Sequence, residues 1–135
     1  MELPSATERN LKKTFEFCAN YSKNYFNTEC CALIGLKGKS QYHVQIVANR
    51  SPQPMEFFII DPVDYLNFIS KYTPLFLFHS HPHTESSFSE MDKASSESSC
   101  LPFLMYSVQD NKFALYIPEN HDLDVNILNK AKGLI

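Results

Sequence analysis

The feature that most constrains the fold of this chain is a short apolar run that leads directly into two alternating histidines. Residues 75–78 read Leu-Phe-Leu-Phe, which is typical of a buried strand, and His79 and His81 follow at once. Side chains of a strand alternate between its two faces, so both imidazoles point to one face, roughly 7 Å apart along the chain. The sequence therefore predicts a buried strand whose polar end holds two imidazoles side by side.

An acidic residue and a serine follow shortly after the histidines. Residues 83–88 are polar and lack periodicity, which predicts a loop, and residues 89–92 read Ser-Glu-Met-Asp. Zinc in a catalytic site usually takes three nitrogen or oxygen ligands and leaves one position for water, whose pKa falls to about 7. His79, His81 and Asp92 supply that number of ligands, so the combined set predicts a Zn²⁺ site.

Parts of this set also have simpler interpretations. Ser89 and Asp92 alone form an ordinary helix start, with the serine as cap and the aspartate in the first turn. His83 is close enough in sequence to tempt a third histidine ligand, but a polar loop position more often carries a solvent-facing side chain. We leave His83 out of the predicted set. Two histidines on one face need a reason to be neutral and convergent, and this favours the metal.

Glu29 is the candidate proton acceptor for a metal-bound water. It heads an apolar strand predicted over residues 30–36. A carboxylate that enters a strand otherwise suited to burial lies either at the surface end of the sheet or inside, beside a partner such as a metal-bound water. A solvated strand end and a salt bridge are the structural alternatives for Glu29.

Together these motifs resemble those of the JAMM (MPN+) metalloprotease family. The shared pattern is His-x-His-Pro, six residues and Ser-x-x-Asp, with an upstream glutamate before Cys-x-Leu-x-Gly, and the similarity covers most of the chain. The resemblance implies zinc on His79, His81 and Asp92, general acid/base catalysis by Glu29, and oxyanion support from Ser89. It also implies hydrolysis of a peptide or isopeptide bond.

A narrower similarity points to the JAMM-like domain of phage tail-assembly proteins. It depends on residues 29–31, 58–65 and 101–102 in addition to the metal motif. In such proteins a second domain of the NlpC/p60 type commonly follows, whereas here we expect the first module alone, with other tail proteins as partners. Phe88 stands where proline is frequent and Ala32 where glycine is usual; both bear on loop geometry and substrate fit, and neither removes a ligand.

Composition agrees with one domain over residues 1–135, which the resemblance implies is a JAMM/MPN-like metallopeptidase domain. The 44% hydrophobic content is enough for one core but not easily for two. The net charge of −3 and the scattered basic residues argue against nucleic acid as a partner. No apolar segment approaches the roughly 20 residues of a membrane span, and residues 1–5 lack the features of a signal peptide. We expect the protein in the host-cell cytosol or the virion tail.

The four cysteines show neither CxxC spacing nor a secretory context, so free thiols are expected. Cys30 and Cys31 are adjacent on a strand and must face opposite sides. They are best interpreted as small buried hydrophobes. No base is indicated for a thiol nucleophile, and no Gly-x-Ser-x-Gly elbow supports a serine nucleophile.

The predicted elements give a mixed α+β fold with a mostly antiparallel sheet flanked by helices. Helices are expected after a capping box over residues 5–8, from the Asp61 cap to residue 72, over 89–98 and over 123–131. Strands are expected over residues 30–36, 42–48, 57–60, 75–81, 101–108 and 113–117, the first two as a hairpin. His43 and His121 are expected at the surface, and Tyr65, Phe68, Ile69 and Tyr72 as a core stripe of the second helix.

Three functions remain open. The first is a zinc metallopeptidase of the phage-tail type, which acts on a protein or peptide substrate. The second is an isopeptidase that removes ubiquitin-like modifiers, although the short chain leaves little room for the insertions that clamp ubiquitin in larger members. The third is a structural module of the tail in which turnover plays no part.

Overall fold

A computed structural model describes residues 3–25 and 27–135, and within them six strands form one sheet accompanied by four helices. The signal-peptide prediction concerned residues 1–5, of which Met1 and Glu2 lie outside the described residues. In chain order the elements are β1 (Ser5–Glu8), α1 (Leu11–Ser22), β2 (Cys31–Lys37), β3 (Gln41–Val47), α2 (Pro62–Ile69), β4 (Thr73–His81), α3 (Glu90–Ser99), β5 (Phe103–Ser107), β6 (Lys112–Tyr116) and α4 (Val125–Lys132). Among the described residues, no helix is both long and apolar enough to cross a membrane.

The strand order is β1-β3-β2-β4-β5-β6, and every neighbouring pair is antiparallel except β4 and β5, which are parallel. This confirms the predicted mixed sheet, mostly antiparallel and flanked by helices. Parallel neighbours need a crossover connection, and α3 lies in the crossover between β4 and β5. The helix that carries Asp92 therefore starts just beyond the strand end that carries the histidines.

Apolar side chains cover both faces of the sheet. One face packs against α1 and α4 through a core that includes Phe15, Ile34, Phe78 and Ala131. The opposite face packs against α2 and the segment before it, through Cys31, Leu33, Val47, Phe68, Leu77 and Phe103, with Phe58 and Phe88 at its margin. His79 follows Leu77 by two residues, so period-2 alternation directs its side chain to this second face.

The predicted start of the first helix is wrong. Residues 5–8 do not cap a helix; they form β1, which pairs with β3 from Ser5 opposite Gln45 to Glu8 opposite Tyr42. Helix α1 begins later, where the Asn10 side chain accepts a hydrogen bond of 2.8 Å from the Lys13 N–H. Asn10 satisfies the helix terminus directly before the apolar face, which leaves the earlier segment free to complete the sheet edge.

Most other boundaries agree with the sequence to within one or two residues. The β2/β3 hairpin is confirmed, with Gly38 at a φ of 64° in its turn. The Asp61 cap is confirmed as well, but α2 ends at Ile69 because β4 already begins at Thr73. The strand predicted over residues 57–60 is absent from the part of the chain that the structure describes, and this segment is irregular.

Three side-chain predictions need correction. His43 is buried rather than at the surface, since α2 and β1 cover its strand: its ring stacks on Tyr72 with centroids 4.2 Å apart. His121 is half-buried, and its Nδ1 accepts a hydrogen bond from the Leu123 N–H. Of the predicted stripe on α2, Phe68 is buried but Ile69 is exposed.

The cysteines are free thiols as predicted, and Cys30 and Cys31 are both buried.

Candidate metal centre

The end of β4 brings both predicted histidines to one buried carboxylate. In the ladder, His79 lies opposite Cys31 of β2 and Met105 of β5, so it occupies the middle of the sheet. The Nε2 atoms of His79 and His81 lie 3.2 Å and 3.3 Å from the same oxygen, Oδ2 of Asp92. All three side chains are buried.

The start of α3 explains how Asp92 reaches this position. Ser89 is the helix cap: its Oγ accepts a hydrogen bond of 3.0 Å from the Asp92 N–H, and Asp92 Oδ2 accepts one of 3.1 Å from the Ser89 N–H. This reciprocal pair is a capping box. The helix-start interpretation of Ser89 and Asp92 is thus correct, and the same carboxylate oxygen also faces the histidines.

The short contacts within this group fit convergence on a cation better than a set of ordinary hydrogen bonds. Within the described residues, His79 Nδ1 and Glu29 Oε1 have no hydrogen-bond partner although both are buried, and the contact of His79 Nε2 with Asp92 Oδ2 lacks hydrogen-bond geometry. Buried polar atoms are rarely left in this state. Ligand atoms 2.0 to 2.1 Å from a tetrahedral zinc would lie about 3.3 Å apart, which agrees with the two distances to Asp92. The donor set therefore fits a zinc ion.

The neighbours of the two imidazoles fix their orientation. His81 Nδ1 lies 3.3 Å from the Glu85 carbonyl oxygen, to which it can donate, and this tautomer leaves Nε2 with its lone pair. The His79 ring stacks on Phe58 with centroids 4.7 Å apart and meets the edges of Phe88 and Phe103. Aromatic walls thus hold the more deeply buried ring and keep water from it.

Glu29 lies beside the histidines with only 5% of its surface exposed. Ligand atoms of Glu29, His79 and His81 all lie within 4.8 Å of one another, so these three residues could hold a metal ion. Asp92 Oδ2 also contacts the same two imidazoles, so two carboxylates adjoin the histidine pair. Burial raises the pKa of Glu29 to about 7; the Asp92 charge adds to this rise, and His81 opposes it.

The remaining pKa shifts favour the metal-binding protonation state at His79 and Asp92 and oppose it at His81. Burial lowers the pKa of His79, which favours the neutral ring. Burial alone would raise the pKa of Asp92, but the two nearby imidazoles and the Ser89 N–H hold it well below its ordinary value. Burial would lower the pKa of His81, yet the Asp92 and Glu29 carboxylates raise it above the usual value, so a metal ion competes with a proton for this ring.

The site opens onto a groove of about 480 Å³. Ser89 and His83 both line it and are both exposed, and His83 stays outside the buried group, as predicted. The groove is lined by Glu29, Met55, Glu56, His81, Pro82, His83, Thr84, Glu85, Ser87, Phe88 and Ser89. An extended segment of another chain could reach the buried group along it.

Two residues that contribute to the site gave no signal in the sequence. Ser80 lies between the two histidines, and its hydroxyl accepts a hydrogen bond of 2.8 Å from the Cys30 N–H, while its own N–H donates to the Cys30 carbonyl. Asn49, which the sequence placed in a loop, donates to the Glu29 carbonyl. Both bonds join segments that are far apart in the chain, so only the folded sheet reveals them.

Comparison with known proteins shows similarity in sequence and in fold. A family model described as Prok-JAB, prokaryotic homologues of the JAB domain, matches residues 12–119. The tail tip assembly protein K of Escherichia phage N15 is 28% identical over 96 residues, which are 71% of this chain but only 39% of that protein. The solution structure of protein DSY2949 from Desulfitobacterium hafniense shares the fold, with a TM-score of 0.59 and 21% identity over 84% of this chain and 92% of that one.

Proposed function

Because this chain belongs to the Prok-JAB family of prokaryotic homologues of the JAB domain, we propose that it is a zinc-dependent metallopeptidase that hydrolyses a peptide or isopeptide bond. The observation that carries the proposal is that His79 Nε2 and His81 Nε2 both lie within 3.3 Å of Asp92 Oδ2, next to the buried carboxylate of Glu29. Three ligands and one nearby base are the parts that metal-assisted hydrolysis requires.

In this proposal His79, His81 and Asp92 hold the zinc ion. When bound, zinc acidifies a water molecule and polarises the scissile carbonyl. Glu29 accepts the proton of the attacking water on a carboxylate oxygen and passes it to the nitrogen of the leaving amine. A pKa of about 7 suits both steps, because the group can take up and release a proton at neutral pH.

Ser89 is proposed to stabilise the oxyanion. Its hydroxyl oxygen already accepts a hydrogen bond from the Asp92 N–H, and a hydroxyl that accepts still has one proton to donate. Ser89 is exposed on the groove, so this proton can be directed to the carbonyl oxygen of a substrate bound there. Such donors act where charge develops in the transition state.

The similarity to a tail tip assembly protein supports a place among phage tail proteins, with residues 1–135 acting as one JAMM/MPN-like unit. In that setting the substrate is a protein or peptide encountered during tail assembly or at the host envelope. The same similarity favours a second candidate, a tail module that binds metal without turnover. Hydrolysis separates the two, and a gel assay on ubiquitin-like conjugates separates a general peptidase from an isopeptidase.

The decisive experiment is the variant Glu29→Gln, compared with Glu16→Gln as a matched control. Glu16 lies on α1 and is exposed, so its change removes a carboxylate from the opposite side of the sheet. We expect Glu29→Gln to bind one zinc ion and to fold, but to lose hydrolysis of a peptide library by about 10²- to 10⁴-fold. The control should cleave like the unchanged chain.

Two outcomes would count against the peptidase. If Glu29→Gln cleaves as fast as the control, Glu29 is not the base. The second outcome is a protein that binds zinc stoichiometrically but cleaves neither peptides nor conjugates. If its Glu29→Gln variant also still supports tail assembly, the structural module is favoured.

A further inference from the structure

The backbone of Glu29 lies outside the ladder of the sheet, since β2 begins only at Cys31. It is held instead by a neighbouring segment. The Glu29 N–H donates to the Pro54 carbonyl at 2.6 Å, and the Glu29 carbonyl accepts from Nδ2 of Asn49 at 2.9 Å. Both peptide groups that flank the Glu29 side chain are thus fixed by contacts beyond the strand.

Asn49 organises that segment as well. Its Oδ1 accepts hydrogen bonds of 3.0 Å from the N–H groups of Ser51 and Ile59, and its Nδ2 donates to the Phe57 carbonyl at 3.2 Å in addition to the bond to Glu29. A side-chain amide has two donor hydrogens and one acceptor oxygen with two lone pairs. All of its hydrogen-bonding capacity is therefore used between Glu29 and residues 51–59.

The same segment carries Phe58, whose ring stacks on His79. One half-buried amide therefore sets two features of the site: the backbone position of the carboxylate and the aromatic cover of one imidazole. Side chains that act on protons need placement to a fraction of an ångström, and a displacement of about 1 Å can cost 100-fold in rate. A residue two positions beyond the end of β3 is well placed to impose such precision because the strand itself is rigid.

We propose that Asn49 is a positioning residue that clamps Glu29 for proton transfer. It acts through Glu29 and does not contact the reacting atoms. This role rests on the proposed peptidase activity. In it, the hydrogen bond that Asn49 Nδ2 donates to the Glu29 carbonyl sets the turnover rate, because it positions the carboxylate.

The test is Asn49→Asp, which has nearly the same shape and keeps the acceptor oxygen for Ser51 and Ile59 but loses the donor to the Glu29 and Phe57 carbonyls. The matched control is Gln45→Glu on β3: the Gln45 amide is also half-buried and donates to backbone carbonyls, here Leu3 and Ile46, away from Glu29. Asn49→Ser is a second variant should the aspartate prevent folding, because its hydroxyl can cap the local turn but is too short to hold Glu29.

We expect the Asn49 variant to bind zinc like the unchanged chain and to lower kcat by about 10- to 100-fold with little change in KM. Amide hydrogen exchange at Glu29 should become faster. Gln45→Glu should alter neither kcat nor exchange at Glu29. Exchange is the readout that does not need activity, so it separates failure of the clamp from failure of the peptidase proposal.

An Asn49→Asp protein with unchanged kcat and unchanged exchange at Glu29 overturns the inference. Equal losses of kcat in the Asn49 and Gln45 variants also overturn it, because they indicate general destabilisation. If the unchanged chain cleaves no substrate but Asn49→Asp still accelerates exchange at Glu29, the clamp is supported and only the peptidase proposal fails.

Discussion

Histidine is buried at two places on the same face of the sheet, and the two environments are opposite in character. At the β4 end, His79 Nδ1 has no hydrogen-bond partner among the described residues, His79 Nε2 lies 3.2 Å from Asp92 Oδ2, and Glu29 lies close by. On β3, His43 Nδ1 lies 2.9 Å from the Thr7 hydroxyl, and the ring stacks on Tyr72. Burial is common to both, so burial alone does not identify a metal ligand.

The charged groups near the two buried histidine sites also differ. Two carboxylates adjoin the histidine pair of β4, whereas the charged groups that act on His43 are Lys37 and Lys71. Carboxylates attract a cation, and ammonium groups repel one. A metal is therefore expected at the first place and a neutral structural histidine at the second.

The largest expected effect comes from removing one histidine ring from each of the two sites. With zinc at 100 times its Kd, the unchanged chain should gain about 2.7 kcal/mol in free energy of unfolding. His79→Ala should lose this gain together with stoichiometric zinc, whereas His43→Ala should keep both. Denaturant unfolding with and without zinc, followed by metal analysis, checks the prediction. Equal zinc binding by the two variants would mean that the buried carboxylate does not select the site.

A second variant tests the structural character of the His43 end. Gly35 lies opposite His43 in the ladder, and a Cβ there would come within 2.7 Å of the Phe68 ring and 2.9 Å of the Thr73 carbonyl oxygen. We expect Gly35→Ala to cost about 1 to 3 kcal/mol of stability, because the ring or the backbone must move, while zinc binding persists.

Gly133→Ala is the matched control for Gly35→Ala. A Cβ at Gly133 would lie 3.5 Å from the nearest carbonyl oxygen, which is an ordinary contact. The control should unfold within about 0.5 kcal/mol of the unchanged chain. If the two alanine variants were equally stable, the packing of Phe68 against β2 would not matter to the fold.

The smallest expected effect is on pH dependence. Burial, with help from Lys37 and Lys71, lowers the pKa of His43, so the unfolded chain binds a proton there more readily than the folded one. Its contribution to stability is therefore complete above the ordinary histidine pKa of about 6.5 and declines as pH falls below it.

His43→Gln should remove this contribution and flatten the stability profile below pH of about 6.5 relative to the unchanged chain. The difference between the two unfolding curves isolates His43, because the titrations at the metal centre are common to both proteins. If the two stability profiles were parallel, the pKa of His43 would not differ between the folded and the unfolded chain.

The sequence predicted most elements and their bounds, and its main errors concerned the structure of residues 5–8 and 57–60. Alternation and turn residues identified the hairpin, the histidine strand and α3, because those signals are local and repeat every two to four residues. The capping-box pattern over residues 5–8 gave a wrong helix start because β3, far away in the chain, pairs with this segment through backbone hydrogen bonds. Residues 57–60 look like a strand in composition, but Asn49 and the His79 ring hold them in an irregular path.

Strand alternation and helix capping depend on neighbours a few residues apart, so the sequence was enough to predict that two imidazoles share one face and that Ser89 and Asp92 begin a helix. Which groups meet at the site depends on long-range pairing in the folded chain. Asp92 faces the histidines because a parallel pairing of β4 and β5 requires a crossover through α3. Glu29 joins them because β2 pairs with β4, 50 residues away, and Asn49 holds it there. Burial of the whole sheet selects these pairings, and no short stretch of sequence encodes them.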